Sequence, residues 1–203
     1  GWQLQQWRKL SCFLHYRGDP AVLTAFSSFL GKEIRRLPGR QHMLDKNYFG
    51  RIEALNFTMA HDDGQMADDL YEAQIVLVGV SRTSKTPTSF YLAHRGYKTA
   101  NIPIVPNIAL PESLFNLGKK TTVIGLTTSP ERLSEIRKNR LLSLNQTVET
   151  DYIDRDRIKE EVIFARKLCT KQGWPAIDVS RRSVEETAAQ IITLYNKRME
   201  EVR

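Results

Sequence analysis

Eight consecutive residues, Gly79-Val80-Ser81-Arg82-Thr83-Ser84-Lys85-Thr86, carry the spacing of a phosphate-binding loop, G-x-x-x-x-G-K-[ST], with Ser84 where the second glycine usually stands. Such a loop curls its backbone N–H groups around phosphate oxygens. It aims the N-terminus of the following helix at the same oxygens. A lysine and a hydroxyl then neutralise charge and hold a metal, and Lys85 and Thr86 stand where those roles require. Arg82 adds a guanidinium with two-point reach to phosphate. Ser84 brings a Cβ to a position that favours positive φ, so the loop is expected to differ in detail from the glycine form. The competing reading is a polar loop with a solvated Lys85.

A second candidate precedes it, His61-Asp62-Asp63-Gly64. Paired carboxylates hold Mg²⁺, or one takes a proton from an attacking hydroxyl. Asp-Gly is also a common turn, and adjacent acids are commonly just solvated. The third candidate is a basic helix face with Arg132, Arg137 and Arg140, placed to clamp phosphates or simply solvated. No Cys/His cluster has zinc spacing.

These groups need a strand before the loop and a helix after it. Gln74 to Gly79 (QIVLVG) reads as a buried strand, and Thr86 to Arg95 as a helix closed by Gly96. Thr99 to Val105 is a second extended segment, and Pro103 assigns it to an edge or a bulge. Thr121 to Leu126 (TTVIGL) is a third strand. It ends in no Asp, so any metal ligand must come from elsewhere, and Asp62 or Asp63 would serve. Ser129-Pro130-Glu131 starts a helix with Leu133, Ile136 and Leu141 on one face. Ile158, Val162, Ala165 and Cys169 mark another, ending at Gly173. Ala176 to Val179 (AIDV) is the fourth strand, and Ser183 to Glu186 a capping box for a last helix. Alternating strands and helices predict an α/β fold with a parallel sheet. Before it, Trp7, Leu10 and Leu14, then Val22, Leu23, Phe26 and Leu30, then Tyr48, Ile52, Leu55 and Met59, each line one face of a predicted helix. The boundary between this helical part (1–69) and the α/β core (70–203) is drawn near Asp69.

With 203 residues the chain suffices for a core without a disulfide or metal staple. Hydrophobic residues at 41% and charged residues at 26% exclude a wholly disordered chain. No run is long enough for a membrane-spanning helix. Cys12 and Cys169 make no disulfide framework, and a reducing cytoplasm is expected. The net charge of +7 invites an anionic ligand, but no Lys/Arg block is interleaved with aromatics, so nucleic acid is not the expected partner. Gly1-Trp2 is not a signal peptide, and the chain reads as a fragment or a processed form.

Several of these segments fall in a familiar order: Arg51-Ile52-Glu53-Ala54, HDDG, GVSRTSKTPTS, Gly125-Leu126-Thr127 with Pro130-Glu131-Arg132-Leu133, and Ser183-Val184-Glu185-Glu186-Thr187-Ala188. From about Asp19 to about Asn196 the chain resembles the regulatory proteins of pyruvate, phosphate dikinase and phosphoenolpyruvate synthetase. Members of that family are usually longer at the N-terminus, so 1–69 would hold the remnant of a longer region. The resemblance implies a P-loop-kinase-like nucleotide-binding core and a bifunctional enzyme. One activity would phosphorylate a threonine of the dikinase, with ADP as donor, and inactivate it. The other would remove that phosphate with inorganic phosphate, releasing pyrophosphate. Gly79, Val80, Ser81, Arg82, Thr83, Ser84, Lys85 and Thr86 would form the ADP loop. Lys85 would stabilise the transferred phosphoryl group, Asp63 would be general base, and Asp62 a second carboxylate or metal contact. Mg or Mn is the expected metal, and a homodimer the expected assembly. Lys98-Thr99-Ala100-Asn101-Ile102-Pro103 resembles bacterial dikinase regulators, which favours the dikinase over the synthetase as target. A small-metabolite P-loop kinase and a non-catalytic basic binding module remain the competing readings.

Overall fold

The computed structural model describes residues 46–143 and 152–202, with 28, 29 and 31 besides. The chain divides into two units, 1–45 and 46–203, and the sheet and its helices belong to the second. The helices expected around Trp7 to Leu14 and Val22 to Leu30 lie outside the described residues, apart from Ser28 and Phe29, which are helical. The boundary drawn near Asp69 falls within the second unit.

Four strands form one parallel sheet: β1 (Ile75–Gly79), β2 (Thr99–Pro103), β3 (Thr122–Thr127) and β4 (Ala176–Asp178). Their order is β2-β1-β3-β4. The helices are α1 (Lys46–Ala60), α2 (Lys85–His94), α3 (Pro130–Ser143), α4 (Arg155–Gln172) and α5 (Val184–Glu201). This is the α/β fold that the strand–helix alternation predicts, with the P-loop-like core that the resemblance implies.

β1 is buried along its whole length because helices cover both faces of the sheet. Its alternate side chains enter two separate cores. Val76 and Val78 join Val123, Leu133, Ile158, Val162 and Cys169, under α3 and α4. Ile75 and Leu77 join Ile124, Leu126, Leu92, Ala188 and Ile191, under α2 and α5. Helix ends follow the sequence signals. Asp154 caps α4 by accepting from the Asp156 and Arg157 backbone N–H groups, and Gly173, at φ 68°, closes it. Ser183 and Glu186 complete the predicted capping box of α5.

β1 pairs with β2 on one side and β3 on the other, so the chain reverses its direction of winding at β1. In a parallel sheet that reversal opens a crevice at the carboxyl ends of the strands. The loop of interest leaves β1 there.

β2 is an edge strand, as Pro103 predicts. Its outward-facing N–H groups are all accounted for. Thr99 N–H donates to Thr58 Oγ1 (3.2 Å), Asn101 N–H to the His61 carbonyl (2.9 Å), and Pro103 has none to offer.

One expected face is corrected. On α1, Tyr48, Ile52 and Met59 are exposed, and the inward residues are Ala54 and Thr58, with Phe57 packed on the core. Small Ala54 and Thr58 let α1 approach α2 and β2 closely, and Thr58 is needed there as an acceptor. Apolar spacing alone selects the larger side chains.

Candidate functional site

β1 ends at Gly79, and α2 starts at Lys85. A Cβ on Gly79 would lie 2.4 Å from the Leu126 carbonyl oxygen, so only glycine lets β1 and β3 close up at the start of the loop. Thr83 Oγ1 and Lys85 Nζ both donate to the Val80 carbonyl, each at 2.9 Å, and tie the loop into a closed curl. Val80 and Thr83 are buried, Ser81 is half-buried, and Arg82 and Ser84 are exposed.

Arg82 (φ 71°) and Ser84 (φ 58°) both adopt the left-handed conformation. Ser84 therefore does what the usual glycine does, at the cost of a Cβ in a disfavoured region. Its side chain caps no helix N–H group. The first N–H groups of α2 lack intrahelical partners, as at any helix start, and are open to an anion at the end of the loop. Ser84→Gly is expected to stabilise the protein by on the order of 1 kcal/mol, read as a rise in Tm.

Lys85 is 5% exposed. Its pKa is lowered to about 8, first by loss of solvation, against which Asp63 and then Asp62 act to keep the charge, while Arg137 and Arg82 repel it. The lysine of the loop and both carboxylates of the acidic turn thus share one electrostatic neighbourhood.

The two carboxylates are held differently. Asp62 Oδ1 accepts from Thr86 Oγ1 (3.1 Å) and from Asn101 Nδ2, which also donates to Thr86 Oγ1 (3.1 Å). The acidic turn is bolted to β2 by the Gly64 N–H, which donates to the Asn101 carbonyl at 2.8 Å. Asp63 is exposed, with a left-handed φ of 51° that lifts it out of this network. His61 is buried, stacked on Phe57 with ring centroids 3.8 Å apart. Its Nδ1 lies 2.8 Å from the Phe57 carbonyl, which can only accept, so Nδ1 carries the proton. His61 holds the turn in place through this packing.

The three arginines of the basic helix do not act together. Arg132 is exposed and paired with Glu135 (2.6 Å), and Arg140 is exposed. Arg137 is 1% exposed. It makes a two-point bridge to Glu161 (2.6 and 3.2 Å), donates to the Tyr152 carbonyl (3.1 Å), and lies over the Tyr152 ring at 4.5 Å. The Tyr152 hydroxyl in turn accepts from Arg82 Nε at 3.2 Å. Glu161→Ala would leave the Arg137 charge buried and unpaired, and is expected to cost about 3–5 kcal/mol by chemical denaturation.

Lys85, Thr86, Asp62 and Asp63 therefore meet at one place, although about fifteen residues separate the turn from the loop. Asn101 joins them, and no motif singles it out, because a lone Asn within a strand carries no signal of its own. Its burial at 1% exposure inside an edge strand is what marks it. Among the described residues no group of three or more His, Cys, Asp or Glu is placed to hold a metal, so a cation here would rest on hydroxyl, single carboxylate and phosphate oxygens.

A family model described as kinase/pyrophosphorylase matches residues 18–192. Curated relatives are similar over most of the chain. A protein of Sphingopyxis alaskensis is 58% identical over 178 residues, covering 88% of this chain and 66% of its own length. One of Novosphingobium aromaticivorans is 58% identical over 178 residues, covering 88% and 63%. One of Rhizorhabdus wittichii is 56% identical over 180 residues, covering 89% and 65%. Each is named a pyruvate, phosphate dikinase regulatory protein. The chain spans slightly under two thirds of the length of these relatives. Among the described residues no helix is long and apolar enough to cross a membrane.

Proposed function

The chain belongs to the kinase/pyrophosphorylase family, and on that premise we propose that it regulates a pyruvate, phosphate dikinase by reversible phosphorylation of a threonine, with ADP as donor. The observation that carries this reading is the meeting of the buried Lys85 with Asp62 and Asp63 at the start of α2. The names of the relatives favour the dikinase over phosphoenolpyruvate synthetase as target.

In the forward direction the threonine hydroxyl gives its proton to Asp63 and attacks the β-phosphorus of ADP. The bond from that phosphorus to the bridging oxygen breaks, and AMP leaves. In the reverse direction an oxygen of inorganic phosphate attacks the phosphothreonine, the proton on Asp63 returns to the threonine oxygen, and pyrophosphate forms. Lys85 faces the transferred phosphoryl group in both, where negative charge on its oxygens must be matched. The backbone N–H groups of Ser81 to Thr86 orient the phosphates. Thr86 and Asp62, both hard oxygen donors, would hold Mg²⁺ or Mn²⁺, which neutralises phosphate charge when bound. Asn101 fixes their spacing. A homodimer belongs to the same proposal, supported by the exposed Phe49, Ile52 and Met59 along α1. Light scattering tests it.

The direct test incubates the chain with ADP and purified pyruvate, phosphate dikinase and follows threonine phosphorylation by mass spectrometry. Transfer by the wild type and none by Lys85→Ala is expected. ADP binding without transfer to the dikinase, but with transfer to phosphoenolpyruvate synthetase, would move the target. Absence of ADP binding would overturn the reading.

A further inference from the structure

Beside the loop, at the carboxyl ends of β3 and β4, lies a cleft of about 270 Å³. Four arginines line it, Arg82, Arg132, Arg181 and Arg182, together with Thr128 and Ser180. Among the described residues no carboxylate lines it.

The charges there are poorly matched within the protein. Arg82 bonds only the neutral Tyr152 hydroxyl, and Arg182 the neutral Gln190 carbonyl oxygen. Arg132 alone has an ion-pair partner, Glu135. Arg181 has no hydrogen-bond or ion-pair partner among the described residues. Against its loss of solvation, the Asp178 carboxyl is held below its usual range by the Ser180 hydroxyl and N–H (2.8 Å), to which Arg166 and Arg182 add, and Arg182 also acts on Glu186. Converging cations raise one another's energy unless an anion joins them.

The cleft is also rigidly built. Ser129 N–H donates to Ser180 Oγ at 2.8 Å, and Thr128 Oγ1 lies 3.2 Å from the same atom. The start of α3 is thereby clamped to the end of β4. The volume lies below the roughly 300–1,000 Å³ of whole-ligand sites, so the cleft suits one compact group. Arginine forks match the oxygens of a phosphate in both geometry and charge.

We propose that this arginine cleft is a second phosphate subsite, separate from the curl around Lys85 and adjoining it at Ser84. It rests on the reading that the loop holds nucleotide phosphates. A transfer that joins phosphate to phosphate needs two such groups side by side, and the cleft supplies the second place. The ligand is a phosphate group, arriving free or on a phosphorylated side chain.

Isothermal titration tests this on the full chain, with inorganic phosphate, phosphothreonine and adenosine as probes. The proteins compared are Lys85→Ala and the same variant with Arg181→Ala and Arg182→Ala. Both arginines are exposed, so their loss leaves the core untouched, and an Arg181→Gln/Arg182→Gln pair repeats the test with bulk retained. Lys85→Ala is expected to keep phosphate binding, and loss of the two arginines to weaken it by about tenfold or more. An arginine-dependent effect on inorganic phosphate identifies the free ion. One confined to phosphothreonine identifies the side chain. Equal binding of both probes with and without Arg181 and Arg182, or an effect on adenosine in place of phosphate, overturns the proposal. The nucleotide reading is tested separately by ADP binding to the wild type. Its failure there, with arginine-dependent phosphate binding intact, would sink that reading and leave the cleft standing.

Discussion

On the proposed mechanism Lys85→Met is expected to lower phosphoryl transfer by about a hundredfold or more, while the protein melts at the same temperature or higher. The two outcomes have one origin. Lys85 is buried, and loss of solvation lowers its pKa to about 8 from an ordinary 10.5. The unfolded chain therefore binds this proton more tightly than the folded one. Stability rises with pH between about 8 and about 10.5, and below about 8 the full penalty of burying the charge is present. Methionine fills the same space without a charge and gives up the bond to the Val80 carbonyl and the attraction of Asp63 and Asp62, which is smaller than the cost of burial. A site that holds a cation out of water in the absence of substrate gives up stability for function. Bound phosphate reverses the balance, because it restores the charged form. On the proposed function, ADP binding near pH 8 is expected to bring proton uptake, with affinity falling as pH rises past that point. Calorimetry in buffers of different ionisation enthalpy measures the uptake. A Lys85→Met protein that still transfers phosphate at the wild-type rate would remove the lysine from the mechanism.

On the proposed mechanism Asp63→Asn is expected to lower transfer by about 10²–10⁴-fold in both directions, since the base that takes the acceptor's proton in one would return it in the other. The substitution suits the site. Asn tolerates the left-handed backbone that Asp63 adopts, so the turn keeps its shape and the loss reports on proton transfer. Asp62→Asn is a useful contrast, because Asp62 accepts from both Thr86 and Asn101 and its loss alters how the hydroxyl of the loop is held. Full activity would exclude Asp63 as base.

Much of this site is legible without any knowledge of the fold. The β-branched run into Gly79, the Lys-Thr pair and the acidic turn each follow from local chemistry, and local chemistry is what sequence records directly. Gly79 is informative twice over, as the first residue of the motif and as the place where β3 comes too near for a side chain. Ser84 reads as a departure from the motif, yet its φ matches what the glycine would do. What stays hidden depends on which elements become neighbours. Arg132, Arg137 and Arg140 form one basic pattern on paper. Only the packing of α3 against α4 sends Arg137 inward to Glu161 and leaves the others outside. Asn101 gains its meaning from lying beside a turn about forty residues away in the chain, which no spacing rule reaches. The inward face of α1 escapes the apolar pattern for a related reason: close approach selects small side chains over large ones.

The outward donors of β2 carry a consequence for recognition. A hydroxyl, a carbonyl and a proline leave that margin with no hydrogen to offer an incoming chain. An extended peptide therefore cannot dock by lengthening the sheet beside the acidic turn, a mode that needs an open ladder of main-chain groups. Selection of an acceptor must come from the shape and side chains of the surface that presents it. On the proposed function, a short unfolded stretch bearing the acceptor threonine is expected to be a poor substitute for the folded target.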